Sequence, residues 1–418
     1  SSLLAALDWV LTNRAFYNIR VVNMSLGTPA VESYRTDPLC RAVRKLVDAG
    51  VVVVAASGNN GKNSSGQKIY GMIHSPGNEP SAITVGASNT YGTDARDDDA
   101  VATYSSRGPT RSYSTSLLGA RRYDNLIKPD VVAPGNKLIY AESDNNYLVA
   151  ANPELDASVS SADNRRMMFM SGSSMSAPVA AGAAALLLQA NPRLTPNLVK
   201  ALLMYTAQPL KGFNMFEQGA GELNIEGAVK LAQRVRTDLT PFTPVGSPLL
   251  TASLPPAQTK IAGDSFVWSQ GLITGRTFAT GSNLVLKYQK IYGTGIIFGD
   301  STGIIFGDGI IFGDSTLFSN GIIFGDNVLT SDGATLASGQ PFLGVSNLVG
   351  DGIIFGDGII FGDGIIFGDG IIFGDGIIFG DSILRGDAVT QAQSARTNGD
   401  SAPLMKLEVD TGVDCVDY

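Results

Sequence analysis

Residues 171–178 read SGSSMSAP, and they lead directly into an apolar run over residues 179–188. The run suits a buried helix and is too short to span a bilayer. A serine hydroxyl is therefore expected at a helix N-terminus, where unpaired N–H groups and the positive end of the helix dipole point. That position stabilises the negative charge on the oxygen of a tetrahedral intermediate. Taken alone, the stretch is also compatible with simple N-terminal capping.

Outward from this stretch, residues 1–235 alternate predicted strands with predicted helices. Residues 51–56, VVVVAA, are apolar throughout, as in a strand that is covered on both faces. Strands are predicted at residues 18–25, 51–56, 82–86 and 131–133, and helices at 39–49, 176–189 and 196–206, the last capped by Thr195. This alternation predicts an α/β fold with a parallel sheet and helices on both faces.

Six short motifs stand in an order and spacing that resembles the subtilisin family of serine peptidases. Residues 172–178 resemble the family's Gly-Thr-Ser-Met-Ala-x-Pro nucleophile box, which implies that Ser174 is the nucleophile. Residues 57–61, SGNNG, resemble its Ala-Gly-Asn box. The resemblance implies that the side chain of Asn59 and the backbone N–H of Ser174 form the oxyanion hole.

Two of the six motifs, residues 104–109, YSSRGP, and residues 128–135, KPDVVAPG, match the family without an assigned role. The remaining two concern the substrate. Residues 23–27, NMSLG, resemble the strand that pairs with the substrate peptide, and residues 75–77, SPG, resemble the wall of the primary specificity pocket. The implied substrate-binding residues are Ser25, Leu26, Gly27, Ser57, Gly58, Ser75, Pro76 and Gly77. The resemblance covers about half of the chain and implies a subtilisin-like serine endopeptidase that acts on polypeptides.

The family's Asp-x-Gly and His-Gly-Thr boxes are absent, although a serine attacks poorly without a base that a carboxylate orients. The only histidine, His74, directly precedes the pocket wall and has no His-Gly-Thr context. We interpret it as a loop residue near the specificity pocket and not as the base.

The sequence opens inside a helical pattern without Met. We therefore expect a fragment whose base and carboxylate lie upstream, and no peptidase activity from these residues alone. The alternative hypothesis is a non-catalytic surface or scaffold protein that keeps a degenerate peptidase fold.

The formal charge of −8 argues against a nucleic-acid partner. Residues 295–388 hold twelve Asp and one Arg, so the acidity belongs to that segment and the remainder sums to +3. Two cysteines, Cys40 and Cys415, give no disulfide framework, and both are expected to be free. No acidic cluster in residues 1–235 has calcium-ligand spacing, so no metal or other cofactor is predicted there. No transmembrane segment is predicted, and a secreted or cell-surface location is expected.

Nine identical copies of Gly-Ile-Ile-Phe-Gly-Asp lie within residues 295–381, five of them in tandem from residue 352. An even period keeps the second-position Ile and the Phe on one face of an extended chain, and Gly and Asp suit turns. Such units bury apolar surface only by stacking, which favours a β-rich array such as a solenoid. Three interpretations stay open: a structural spacer or surface-attachment module, an Asp-lined calcium site, or an aggregation-prone tract.

The predicted organisation has four parts. A subtilisin-like peptidase domain occupies residues 1–235, and a linker with irregular β structure follows at 236–290. The hexapeptide-repeat module spans 291–388, and a flexible tail spans 389–418.

Overall fold

The computed structural model describes residues 2–115, 119, 121–160, 165–244, 246–261, 263–275, 277–296 and 298, and beyond these a set of strands within 310–379. The helices are α1 (Ser2–Asn13), α2 (Pro38–Asp48), α3 (Tyr147–Ala151), α4 (Ser173–Ala190), α5 (Pro196–Thr206), α6 (Met215–Gln218), α7 (Ile225–Ala232) and α8 (Asn283–Leu286). The strands up to residue 298 are β1 (Val21–Met24), β2 (Thr28–Pro29), β3 (Val52–Ala56), β4 (His74–Ser75), β5 (Ile83–Asn89), β6 (Ala100–Val101), β7 (Tyr113–Thr115), β8 (Arg121–Tyr123), β9 (Val131–Pro134), β10 (Leu138–Ala141), β11 (Met167–Met170), β12 (Gln258–Ile261), β13 (Asp264–Val267), β14 (Gly271–Thr274) and β15 (Thr277–Thr280). The later strands are β16 (Ile310–Phe312), β17 (Ile322–Phe324), β18 (Val328–Thr330), β19 (Asn347–Phe355), β20 (Gly358–Phe367), β21 (Gly370–Phe373) and β22 (Gly376–Phe379).

A parallel sheet in the order β1-β3-β5-β9 forms the centre of residues 1–235, and β6 adds an antiparallel pairing at the end of β5. The register places Val22 beside Val53, Val54 beside Ile83 and Val85 beside Val131. All four strands of the order therefore end at one edge of the sheet, where the loops that follow them meet.

Helices cover both faces of this sheet. Along β3, Val52, Val54 and Ala56 face the core formed with α4, α5 and α7, whereas Val53 and Ala55 face α1 and α2. Successive side chains of a strand point to opposite faces, so a strand between two helical layers must be apolar at every position. The predicted α/β fold is thus confirmed for this part of the chain.

Helix α4 is the central core helix and contacts β1, β3, β5 and β9. The small side chains of Ala177, Ala180 and Ala184 are completely buried and let the helix lie close to the sheet. Among the described residues it is the one helix that is long and apolar enough to cross a membrane. Half of it is buried against the sheet, which is how a core helix of a globular domain is arranged.

Local sequence fixes where two further helices begin. Asp37 caps α2, because its Oδ1 accepts from the Leu39 N–H at 2.7 Å, and Pro38 occupies the first helical position. Thr195 caps α5 as predicted, accepting from the Leu198 N–H at 3.1 Å.

Residues 236–290, predicted as a linker with irregular β structure, are instead packed onto the core. Trp268 is 2% exposed and its Nε1 donates to Thr259 Oγ1 at 2.9 Å. Strand β14 is buried along its length, and Leu249 and Tyr292 belong to the same apolar cluster as α4. After residue 235 the composition changes because β-hairpins replace helices. Residues on both sides of this position belong to the same apolar core.

The strands of the repeat region pair mostly in parallel with partners twelve residues apart. Ile310 lies beside Ile322, Ile353 beside Ile365 and Ile365 beside Ile377. Twelve residues are two hexapeptides, so the register of the strands pairs identical residues with each other. Closure into a solenoid stays a prediction. The predicted tail at 389–418, with Cys415, lies outside the described residues, whereas Cys40 is free and buried.

Candidate active site

Two loops meet at the carboxyl edge of the sheet: the turn after β3 and the turn that starts α4. The Ser57 N–H donates to the Val85 carbonyl at 2.9 Å and holds the first loop on the sheet. Gly58 has a φ of 107°, a conformation that favours glycine, and it turns the chain toward α4. Asn59 follows at the exposed surface, beside the first turn of the helix.

Ser173 fixes the side chain of Asn59. Asn59 Oδ1 accepts from the Ser173 N–H at 2.9 Å and lies 2.9 Å from Ser173 Oγ. Ser173 Oγ in turn accepts from the Gly58 N–H at 3.1 Å. Because its oxygen is occupied, the Asn59 carboxamide presents Nδ2 as its remaining donor. A β-carbon on Gly172 would lie 3.1 Å from that nitrogen, which explains the glycine before Ser173.

Ser174 is the second residue of α4 and is half-buried. Within the described residues its hydroxyl has no hydrogen-bond partner, while its carbonyl accepts from Ser25 Oγ at 2.6 Å. Its N–H lies in the first helical turn, where backbone donors have no acceptor within the helix. The predicted nucleophile and the predicted oxyanion amide are thus neighbours, joined through Ser173.

The predicted substrate-binding residues gather around the same edge. Residues 25–27 follow β1 and residues 57–58 follow β3, which is its neighbour in the sheet. The pocket-wall residue Ser75 pairs with Thr28, and the His74 N–H donates to the Ser57 carbonyl at 3.0 Å. The wall therefore runs beside both segments. The members of the set are Ser25, Leu26, Gly27, Ser57, Gly58, Ser75, Pro76 and Gly77.

Gly77 lies where the wall meets the end of β3. A β-carbon there would come within 3.0 Å of the Ala56 carbonyl oxygen, so the wall passes close to the strand. Thr84 Oγ1 donates to the Gly77 carbonyl at 2.6 Å, and the Thr84 N–H donates to Asp130 Oδ2 at 2.7 Å. A buried network of hydrogen bonds through Thr84 and Asp130 therefore holds the wall in place.

His74 lies on the pocket side and not beside the nucleophile. Its Nε2 is 2.8 Å from Asn60 Oδ1, and burial lowers the pKa of its imidazole. No hydrogen bond joins His74 to Ser174 in the part of the chain that the structure describes.

Sequence reasoning missed three groups at this site. No role was predicted for Ser173, although its hydroxyl donates a hydrogen bond to Asn59 Oδ1. The Gly135 carbonyl accepts from the Gly172 N–H at 2.8 Å, and Tyr140 Oη donates to the Met175 carbonyl at 3.3 Å. The position of Ser173 directly before the predicted nucleophile could have indicated a role for its hydroxyl. No residue near Tyr140 in the sequence indicates the contact of Tyr140 with α4.

Comparison with known proteins gives concordant matches. The sequence model described as the Subtilase family matches residues 4–228. Serine protease AprX of Bacillus subtilis (strain 168) is 39% identical over 213 residues, which cover 50% of this chain and 43% of AprX. The extracellular serine proteinase of Thermus sp. (strain Rt41A) is 34% identical over 209 residues, covering 50% of this chain and 37% of that protein.

Among solved structures, fervidolysin from Fervidobacterium pennivorans, a keratinolytic enzyme related to subtilisin, superposes with a TM-score of 0.38 at 24% identity. The match covers 54% of this chain and 28% of fervidolysin. The chain thus spans less than half the length of each of these three relatives.

Proposed function

Because the chain belongs to the subtilase family, we propose that it carries the nucleophile, oxyanion and substrate-binding parts of a serine endopeptidase site. The observation that carries the proposal is the fixed Asn59 carboxamide beside the free hydroxyl of Ser174. Ser174 Oγ attacks the peptide carbonyl carbon, and Asn59 Nδ2 and the Ser174 N–H bind the resulting oxyanion. The amine then leaves, and water hydrolyses the acyl-enzyme.

The base is the missing component of this mechanism. It must accept the proton of Ser174 Oγ and later deliver it to the leaving amine. His74 is the only histidine of the sequence, and its ring is engaged by Asn60 on the pocket side. We therefore propose that residues outside this sequence supply the base and its carboxylate, and that these 418 residues alone cleave peptides orders of magnitude more slowly.

The proposed substrate is an extended polypeptide. Residues 25–27 and 57–58 present the ends of two neighbouring strands, and a peptide bound between them continues the backbone pairing of the sheet. Acyl transfer of this kind proceeds without a metal ion. We further propose secretion or display at the cell surface, with the repeat region as a spacer or attachment module.

The complete gene product tests this function. The unmodified protein is expected to cleave fluorogenic peptides and to react with a fluorophosphonate probe, and Ser174→Ala to do neither. Ser253→Ala, which removes an exposed hydroxyl, is the matched control and should leave both unchanged. A folded complete protein that neither cleaves nor reacts would favour the alternative, a non-catalytic scaffold.

A further inference from the structure

The imidazole of His74 lies against both of the segments that are proposed to hold the substrate backbone. A β-carbon on Gly27 would lie 2.8 Å from His74 Cβ and 3.3 Å from its Nδ1. A β-carbon on Gly58 would lie 2.9 Å from His74 Cγ and Cδ2. Both glycines therefore face the ring, which is half-buried and still reached by solvent.

The groups around the ring are uncharged. Asn60 Oδ1 lies 2.8 Å from His74 Nε2, and the hydroxyl of Ser106, next to Gly58, accepts from the Asn60 N–H at 3.0 Å. The carboxylate of Asp37 is committed elsewhere, since it accepts from Ser75 Oγ at 2.6 Å and from the first N–H groups of α2. The pKa of His74 is lowered by burial of the ring and not by a neighbouring charge. Within the described residues the imidazole thus has no carboxylate partner.

Resting on the proposed endopeptidase function, we infer that His74 is a specificity-determining residue that selects an acidic side chain on the substrate. The residue concerned is the one whose carbonyl Ser174 attacks. Its side chain points between residues 25–27 and 57–58, because the substrate backbone lies along both. A carboxylate that enters there meets the imidazole and accepts a charge-assisted hydrogen bond, whereas a large aromatic side chain meets the volume of the ring.

This arrangement couples substrate choice to protonation of the ring. In the neutral ring, Asn60 Oδ1 accepts the Nε2 proton, so Nδ1 on the Gly27 side carries none. Protonation turns Nδ1 into a donor, and an entering carboxylate stabilises that charged form. Binding of an acidic peptide therefore takes up a proton, and its affinity falls as the pH rises from about 5 to about 8.

The first test uses the chain itself, made without a histidine tag. Because His74 is the only histidine, one imidazole resonance reports on it without ambiguity. The probes are tetrapeptide amides that end in Glu, or in Gln as the matched neutral analogue. We expect the Glu peptide to bind about tenfold more tightly than the Gln peptide at pH 5.5, and to raise the pKa of His74 in the NMR titration. The preference should vanish at pH 8.

The second test uses kinetics of the complete gene product. The quantity measured is kcat/KM for the Glu substrate divided by kcat/KM for the Gln substrate. The titration of the catalytic base affects both values equally and therefore cancels in this ratio. The ratio should exceed one at pH 5.5, and His74→Gln and His74→Ala should each bring it to one or below. Equal binding and cleavage of Glu and Gln substrates at pH 5.5 would overturn the inference. Binding and cleavage of neither would instead overturn the proposed function, so the two failures are distinguishable.

Discussion

At the scale of single residues, the proposed site depends on the orientation of the Asn59 side chain, which is fixed before the substrate binds. Asn59 Oδ1 is held by the N–H of Ser173 and lies beside its hydroxyl, so the carboxamide has one orientation with Nδ2 outward. A donor that is already aimed costs no reorganisation when charge develops on the substrate oxygen. In the proposed mechanism Ser173 is therefore a positioning residue, and Asn59 supplies the donor.

Replacing Asn59 by Ala removes that donor without removing the nucleophile. In the complete gene product we expect kcat to fall by about 10²–10³-fold, because the hydrogen bond forms to the transition-state oxyanion, with little change in KM. Steady-state kinetics on a fluorogenic peptide measure both constants. Asn13→Ala, at the exposed end of α1, is the control and should behave as the unmodified protein. An unchanged kcat in Asn59→Ala would remove this residue from the mechanism.

The places of Ser174 and Asn59 in the fold were predictable from the sequence because each lies at a recognisable local feature. Ser174 lies in the first turn of the apolar helix, and Asn59 follows the apolar strand. The link between them was not predictable, since the Ser173–Asn59 contact joins residues 114 positions apart. The burial of His74 against Gly27 and Gly58 likewise depends on how three loops pack, which no local pattern encodes.

At the scale of elements, prediction succeeded where the sequence marks the start of an element and failed where elements are very short. The predicted range of α5 coincides with the observed helix, whose start is marked by the capping Thr195 and by Pro196. The two-residue strands β2 and β4 were missed, because two residues show no period, although β4 carries Ser75 of the predicted pocket wall and β2 pairs with it. The hairpins of β12 to β15 were predicted only as irregular β structure after a linker, since their strands are four residues long and partly exposed.

A buried ionic group joins the residues that directly precede β9 to α5. Asp130 Oδ2 lies 2.7 Å from Lys128 Nζ, and Asp130 Oδ1 lies 2.9 Å from Lys200 Nζ.

All three side chains are at most 2% exposed, so Asp130→Asn would leave two buried ammonium groups without their counter-ion. We expect a loss of about 3–5 kcal/mol in the free energy of unfolding, measured by urea denaturation. Asp238→Asn, which breaks an exposed pair with Arg236, should leave the free energy of unfolding almost unchanged. Equal losses would contradict this account.

A buried pair of acidic residues, Asp99 and Glu222, makes stability depend on pH. Burial first, and then the neighbouring Glu222, raise the pKa of Asp99 to about 8, whereas Arg96 opposes the shift. The folded protein therefore keeps a proton on Asp99 that the unfolded chain releases near pH 4. Because the folded state binds more protons in this window, stability falls as the pH rises from about 4 to about 8.

Asp99→Asn places a neutral group of similar shape at the same position and removes that proton equilibrium. We expect the two proteins to have similar stability near pH 4.5, and the variant to become progressively the more stable one as the pH approaches 8. Urea denaturation at three pH values measures the difference. A difference that stays constant across the window would show that Asp99 does not titrate there.

At the scale of the whole molecule, the peptidase-like core and the start of the repeat region are one packed unit. Asn197 Nδ2, at the N-terminus of α5, lies within hydrogen-bond distance of the carbonyls of Ile291, Gly293 and Ile296, at 2.7, 3.1 and 3.0 Å. Thr195 Oγ1 donates to the Tyr292 carbonyl at 2.6 Å. The first hexapeptide therefore begins on a helix of the peptidase part, and not at the end of a free linker.

Phe298, in that first hexapeptide, gives this junction its apolar anchor. It is 1% exposed, lies in the same cluster as α4 and α5, and has Lys200 Nζ 5.0 Å from its ring centre. We expect Phe298→Ala to cost about 3–5 kcal/mol of unfolding free energy in the complete chain, because it opens a cavity in the shared core. Phe242→Ala, at a ring that is 92% exposed, is the matched control and should change stability by less than about 0.5 kcal/mol. If both variants unfold at the same urea concentration as the unmodified chain, the repeat region is joined to the core by its backbone alone.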